Sequence, residues 1–168
     1  MPKVGAIDVD FEPEALLDAI SVVESGGGYN NHPRFEISYA PEGEQFTVQG
    51  RLFKGTGRNF NNVVRERWKK WGMRSACSYG PYQLMYHTAA DLGFNGPPEL
   101  LTNESVSVIW ARKLMERIVA RGARTVDEVA DAWNSGSHRD GFVPTDYINK
   151  VRRAYGVVLG GTANGIQA

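Results

Sequence analysis

The sequence predicts a mainly α-helical fold of the α+β kind, with a small irregular or β-hairpin insertion around residues 29–57. Six segments carry apolar residues at helical spacing, and the insertion lacks this period. The chain has 168 residues, of which 42% are hydrophobic, and this fits one domain with one core. We therefore expect a single domain over residues 1–156. Residues 157–168, VVLGGTANGIQA, are predicted to be a flexible tail.

The first helix is predicted over residues 13–23. Pro13 suits the first turn, and Leu16 and Ile20 recur at helical spacing before three glycines end the pattern. Glu24 follows Ile20 by four residues, so it lies on or beside the apolar face of this helix. A carboxylate in that position is a candidate functional group.

The insertion is predicted to form short strands. Phe35, Ile37 and Tyr39 alternate with polar residues, which predicts one strand, and a second strand is predicted around residues 46–52. A connection of this length without helices is uncommon in a compact domain unless it forms a functional lip or lid.

The rest of the chain predicts five further helices. They cover residues 59–71, 81–92, 103–121, 125–133 and 145–155. Ser78 is placed to cap the helix at 81–92, and Thr125 and Glu128 have the spacing of a capping box. The helix at 103–121 has an apolar stripe typical of a core helix, and Trp68, Trp71 and Trp110 are assigned to the core.

Composition excludes several classes of protein. The 19 Lys and Arg residues balance 19 Asp and Glu residues, so long-range attraction to nucleic acid or to an anionic membrane is not expected. Cys77 is the single cysteine, and the sequence has no CxxC or HExxH spacing, so neither a metal site nor a cofactor is predicted. No run approaches the roughly 20 apolar residues that span a bilayer. His32, His87 and His138 are scattered, and each is expected to be structural or exposed.

Three short clusters fall at predicted helix ends, where a cleft is usually built. They read Glu24-Ser25-Gly26, Gly80-Pro81-Tyr82-Gln83 and Ala132-Trp133-Asn134-Ser135-Gly136. Together and in this order they resemble the lysozyme-like superfamily, specifically the soluble lytic transglycosylases and goose-type lysozymes, which cut the glycan strands of peptidoglycan. The resemblance covers roughly residues 13–156.

The match to the family motifs is partial. The second motif usually reads Gly-Leu-Met-Gln, and the chain keeps only its outer residues, Gly80 and Gln83. The third usually reads Ala-Tyr-Asn-Ala-Gly, of which Ala, Asn and Gly remain, and Tyr147-Ile148 loosely matches a later Tyr-Val pair. The long segment between the first two motifs is a departure. Its Arg34-Phe35-Glu36 resembles a Phe-Glu element of some phage-type N-acetylmuramidases.

Glu24 is the predicted general acid. Cleavage of a glycosidic bond needs a carboxylic acid that is protonated near neutral pH, so its pKa must rise from about 4.3. Burial beside apolar groups raises the pKa of a carboxyl because it disfavours the charged form. An acid at a helix C-terminus also opposes the macrodipole, which makes a purely structural role less favourable. Ser25 is expected to cap or orient Glu24.

The step after protonation depends on a second group. An inverting hydrolase needs a second carboxylate roughly 6.5–9.5 Å away, and a retaining one needs it at about 5–5.5 Å. In a lytic transglycosylase, as the resemblance implies, the substrate's own N-acetyl group and 6-hydroxyl complete the reaction. Glu36 is the leading second carboxylate, although it fits a solvent-facing strand residue equally well, and Glu42 and Asp140 are weaker candidates. A reducing end and a 1,6-anhydro ring both remain open as products.

The resemblance also implies a set of substrate-binding side chains. They are Ser25, Tyr82, Gln83, Trp133, Asn134 and Tyr147. The amides of Gln83 and Asn134 equally suit backbone groups at helix ends, and the rings of Tyr82 and Trp133 equally suit core packing. The family tyrosine that corresponds to Tyr147 approaches the catalytic Glu or the sugar.

Two other functions remain open at this point. Cys77, with a His and an Asn elsewhere, fits the nucleophile of a peptidoglycan peptidase or amidase, although lone cysteines are often small buried apolar residues. The same scaffold also fits a non-catalytic module of a virion that binds the cell wall.

The expected partner is the peptidoglycan glycan strand, cut at the β-1,4 bond between N-acetylmuramic acid and N-acetylglucosamine, by a monomer. The first residues lack a basic segment followed by an apolar stretch, so no signal peptide is predicted. We therefore expect a protein that acts at the bacterial cell wall or periplasm, delivered by a phage, carried in a virion or cut from a longer exported protein.

Overall fold

The computed structural model describes residues 1–164, and it describes the side chains of residues 1–161. The mainly α-helical fold with small β-sheets is as predicted. The helices are α1 (Pro13–Ser25), α2 (Asn62–Trp71), α3 (Tyr86–Asp91), α4 (Glu104–Ala120), α5 (Val126–Ser135) and α6 (Thr145–Asn164). The strands are β1 (Lys3–Val4), β2 (Ile7–Asp8), β3 (Arg34–Phe35), β4 (Gln45–Val48), β5 (Arg51–Lys54), β6 (Cys77–Tyr79) and β7 (Leu84–Met85).

The chain divides into two compact units. The terminal unit contains Met1–Asn30 and the chain from Ala111 onward, and the inner unit contains Asn31–Trp110. No helix within the described part of the chain has both the length and the hydrophobicity to cross a membrane.

The terminal unit is built on helix packing. Helix α6 packs against both α1 and α5, and the core contains Leu16 and Ile20 of α1, Val129 of α5 and Val151 of α6. Gly26 ends α1 in the left-handed conformation, and its N–H donates to the carbonyl of Val22. The predicted capping box at the start of α5 is present.

The inner unit contains a three-stranded antiparallel sheet in the order β3-β6-β7 and a separate hairpin of β4 and β5. A buried cluster lies beside the sheet. It comprises Cys77, Tyr79, Tyr86, Ala89, Phe94 and Leu101. Trp71 and Trp110 are partly buried against this cluster, and Trp68 makes edge contacts with Phe46 and Phe60.

The predicted strands of the insertion need correction. The strand predicted from Phe35 to Tyr39 stops at Phe35, and a short 3₁₀ turn follows. The strand predicted around residues 46–52 is instead the β4–β5 hairpin. Gln49 and Gly50 form its turn, and both have positive φ, which matches the right-handed twist of the paired strands.

The helix predicted at residues 81–92 was wrong in its first half, and Ser78 does not cap it. Gly80 and Gln83 have φ of 76° and 46°, which a right-handed helix excludes. The segment turns back as β7, which pairs with β6, while β6 pairs with β3. The helix α3 begins only at Tyr86.

The last helix extends further than predicted. The prediction ended it at Tyr155 and treated residue 157 onward as a flexible tail, whereas α6 continues to Asn164. Val158 and Leu159 follow Tyr155 at helical spacing and are partly buried, so they continue its apolar face. Residues 165–168 of the predicted tail lie outside the described residues.

Candidate active site

Glu24 lies in the last turn of α1 and is half-buried. Tyr147, in the first turn of α6, donates its phenolic O–H to Glu24 Oε1 at 2.7 Å. Packing of α1 on α6 brings these two residues together across 123 positions of sequence. The contact joins a carboxyl group to a hydrogen-bond donor at the end of two packed helices.

The environment keeps the Tyr147 phenol protonated. Burial, and next the Glu24 carboxylate, raise the pKa of Tyr147 well above its usual value because both disfavour a phenolate. The phenol therefore stays a donor to Glu24 over the whole neutral pH range.

Ser25 organises the loop that follows Glu24. Its Oγ donates to the carbonyl of Ser21 at 3.0 Å and accepts from the N–H of Gly28 at 2.8 Å. Its carbonyl accepts from the N–H of Asn30 at 2.8 Å. The side chain is buried, so Ser25 positions the backbone around Glu24. Tyr29, which the sequence analysis did not select, is 97% exposed in this loop.

The third motif ends α5 in the terminal unit. Trp133 is half-buried, and Asn134 is exposed. Asp131 was missed, although it is a buried carboxylate. Ser135 donates to Asp131 Oδ1 at 3.0 Å, a contact that the spacing of four residues in a helix could have indicated.

The second motif forms the turn between β6 and β7 in the inner unit. A side chain at Gly80 would place its Cβ 2.1 Å from the carbonyl oxygen of Leu101, so glycine is required there. Gln83 Oε1 accepts from Ser78 Oγ at 2.9 Å, and its Nε2 donates to the carbonyl of Gly80 at 2.9 Å. The Gln83 amide thus holds the turn. Tyr82 is buried, so little of its ring is available to a ligand.

Glu36 is exposed in the inner unit. Its side chain accepts a 3.4 Å hydrogen bond from the N–H of Ser38, and its own N–H donates to the carbonyl of Ala76. The structure therefore distributes the predicted residues over both units. Glu24, Ser25, Trp133, Asn134 and Tyr147 belong to the terminal unit, and Glu36, Tyr82 and Gln83 belong to the inner unit.

Cys77 is buried in the core of the inner unit. Burial raises the pKa of its thiol to about 11, because desolvation disfavours the thiolate. The thiol donates to the carbonyl of Met73 at 3.4 Å. Very little thiolate is therefore present at neutral pH. This environment is typical of an inert structural cysteine.

No family model, curated protein or solved structure matches the chain. Among the residues that the structure describes, no three metal-binding side chains of the His, Cys, Asp or Glu type come together.

Proposed function

We propose that the protein cleaves the glycan strands of peptidoglycan, at the β-1,4 bond between N-acetylmuramic acid and N-acetylglucosamine, with Glu24 as the general acid. The hydrogen bond from Tyr147 to Glu24 carries this proposal. The order of the short motifs along the chain, which resembles that of the lysozyme-like superfamily, supports the choice of substrate.

The hydrogen bond from Tyr147 orients the Glu24 carboxyl group, as a general acid requires. A protonated carboxyl has a carbonyl oxygen that accepts and a hydroxyl that donates. Because Oε1 accepts from Tyr147, Oε2 is the oxygen that would carry the proton of the acid. Oε2–H is then the group that protonates the leaving glycosidic oxygen. A positioned acid of this kind contributes roughly 10²–10⁴-fold to the rate.

The second step follows one of two routes. In a lytic transglycosylase the substrate's own N-acetyl group and 6-hydroxyl complete the reaction, so Glu24 suffices. In a muramidase a carboxylate activates water or forms the covalent intermediate, and Glu36 is our first candidate for it. Ser25 positions Glu24 in either route, and the exposed Asn134 with the half-buried Trp133 provides polar and aromatic surface for a sugar.

We place this activity at the bacterial cell wall or periplasm and propose that a monomer carries it out. Export within a longer protein and delivery by a phage or virion both fit this role. The proposal does not use Cys77, because burial suppresses its thiolate.

The test is the release of soluble fragments from purified peptidoglycan sacculi by the wild-type protein and by Glu24→Gln. We expect the wild type to clear a suspension of sacculi and the variant to lose at least 100-fold in rate, because an amide cannot donate the proton. Circular dichroism checks that the variant remains folded.

Glu14→Gln is the matched control. Glu14 is exposed at the other end of α1 and pairs with Arg112 at 2.9 Å, so its neutralisation changes the same charge on the same helix. We expect this variant to retain the wild-type rate. Full activity in Glu24→Gln, or sacculi that bind the wild type without releasing fragments, would refute the proposed function.

A further inference from the structure

The inner unit contains a pocket of about 540 Å³ that none of the motif residues lines. This volume lies within the range of about 300–1,000 Å³ that is typical of small-molecule sites. Its wall combines the rings of Tyr39 and Phe60 with polar side chains from two segments. The polar residues of the wall include Arg58, Asn59, Arg67, His87, Thr88 and Asp91.

Most of the charge in this wall is already balanced. Arg67 Nη2 donates to Asp91 at 2.7 Å, and its Nη1 lies 3.3 Å from His87 Nδ1. His87 is 4% exposed and stacks on Tyr39. Burial, and next the Arg67 charge, lower the pKa of His87 to about 4, so the imidazole is neutral at pH 7. Arg67, Asp91 and His87 together therefore carry no net charge.

Arg58 is the exception. Its guanidinium has no hydrogen bond, ion pair or ring contact with any residue of the described part of the chain. Every other arginine of the inner unit has such a partner. These are Arg34, Arg51, Arg65, Arg67 and Arg74. The pocket wall thus presents one uncompensated positive charge.

The backbone on both sides of Arg58 is fixed. Gly57 donates its N–H to the carbonyl of Ala40 at 3.0 Å, and Asn59 donates its N–H to the carbonyl of Ser38 at 2.8 Å. Gly57 has φ of 64°, and a Cβ there would lie 2.9 Å from Glu42 Cβ, so this turn has little freedom. A ligand therefore needs to order only the Arg58 side chain, which lowers the entropic cost of binding.

We propose that this pocket binds a carboxylate-bearing N-acetyl sugar of the muramic acid type, with the carboxylate on the Arg58 guanidinium. A guanidinium pairs with a carboxylate through two parallel N–H···O bonds. The Tyr39 and Phe60 rings provide apolar surface for the sugar ring, and the Thr88 hydroxyl and the Asn59 amide provide polar groups. The choice of sugar rests on the proposed function, whereas the carboxylate preference rests on Arg58.

Two sugars that differ only in the lactyl group test the site. N-acetylmuramic acid is N-acetylglucosamine with an added lactyl group, which carries the carboxylate, so isothermal titration of each against the full chain measures the contribution of that group. We expect the wild type to bind N-acetylmuramic acid at least tenfold more tightly. Arg58→Gln is expected to remove this preference and to leave the fold intact, because Arg58 is exposed.

Arg51→Gln is the matched control, because Arg51 is an exposed arginine of the same unit that does not line the pocket. It is expected to keep the preference. Equal affinity for the two sugars in the wild type, or an unchanged preference in Arg58→Gln, would overturn the site. Glu24→Gln is expected to keep the preference for N-acetylmuramic acid. If the wild type shows an Arg58-dependent preference but does not cleave sacculi, the proposed function is refuted and this site is supported.

Discussion

The two units use their polar side chains differently. In the inner unit Gln83 forms hydrogen bonds within a turn, and Arg67 forms hydrogen bonds with both His87 and Asp91. These side chains therefore stabilise the fold. In the terminal unit Tyr147 and Glu24 meet at two helix ends, and their contact orients a group that can transfer a proton. Substitutions of Gln83 or His87 should therefore reduce stability first, and substitutions of Tyr147 or Glu24 should reduce activity first.

The largest expected effect on stability is the response of the inner unit to acid. The pKa of His87 is about 4 in the folded protein and about 6.5 in an unfolded chain, so only the unfolded chain takes up a proton between these values. The free energy of unfolding is therefore highest above pH 6.5, and it falls by about 3 kcal/mol in total as the pH drops toward 4. Urea unfolding across this pH range measures the loss.

Two variants isolate the contribution of His87 to this loss. His87→Phe keeps an aromatic ring against Tyr39 and should flatten the decline between pH 6.5 and 4. His32→Gln, at an exposed histidine of the same unit, should leave the decline unchanged. An identical pH dependence in His87→Phe and the wild type would contradict a buried neutral His87.

Two substitutions of Gln83 test whether its side chain stabilises the turn. Gln83→Ala removes the partner of the buried Ser78 hydroxyl and should destabilise the protein by about 2 kcal/mol. Gln83→Gly loses the same contacts but suits the φ of 46°, so it should be about 1 kcal/mol more stable than the alanine variant. Denaturant midpoints give both values. If Gln83→Ala instead keeps the wild-type stability but loses activity, Gln83 contacts a ligand. The proposed difference between the two units would then be wrong.

Tyr147→Phe examines the terminal pair. The variant keeps the ring but removes the donor to Glu24, so we expect the rate of sacculus cleavage to fall about tenfold. This corresponds to about 1.4 kcal/mol, as for one lost hydrogen bond between neutral groups. Tyr155→Phe is the control, because Tyr155 lies on the same helix and its oxygen accepts from the N–H of Glu12 at 2.8 Å. Equal rates for the two variants would show that the Tyr147 hydroxyl does not act on Glu24.

The smallest expected effect on activity is that of Cys77→Ser. The thiol is buried and its pKa is about 11, so it is not a nucleophile at neutral pH. We expect sacculus cleavage at the wild-type rate for the fraction of the variant that is folded, with a modest loss of stability in the core. Complete loss of activity in the folded variant would favour a cysteine peptidase.

The sequence predicted the long helices well because their signals are local. The apolar spacing and the glycines around α1, and the capping box of α5, involve residues within one or two turns of each other. The same argument placed Glu24 on the apolar side of α1, where it is half-buried. The short strands were harder to predict. The strand β6 pairs with β3 and, across a turn that needs two positive φ values, with β7, and no local periodicity encodes these pairings.

The pocket around Arg58 could not be predicted from the sequence. Its wall combines a 3₁₀ turn, the segment before α2, α2 itself and the helix α3, and only the tertiary fold brings these together. That Arg58 has no partner among the described residues also depends on where every nearby carboxylate lies. The Gln49-Gly50 turn carried only half of a local hairpin signal. Gly50 readily adopts a positive φ, whereas Gln49 is not a residue that usually does so.

Mass spectrometry of the fragments that the wild-type protein releases from purified sacculi tests the central claim most directly. Cleavage by Glu24 predicts new glycan ends, either a reducing N-acetylmuramic acid or its 1,6-anhydro form, which is lighter by one water. The same measurement therefore separates the muramidase route from the transglycosylase route. Fragments with new peptide termini and intact glycan strands would contradict the account.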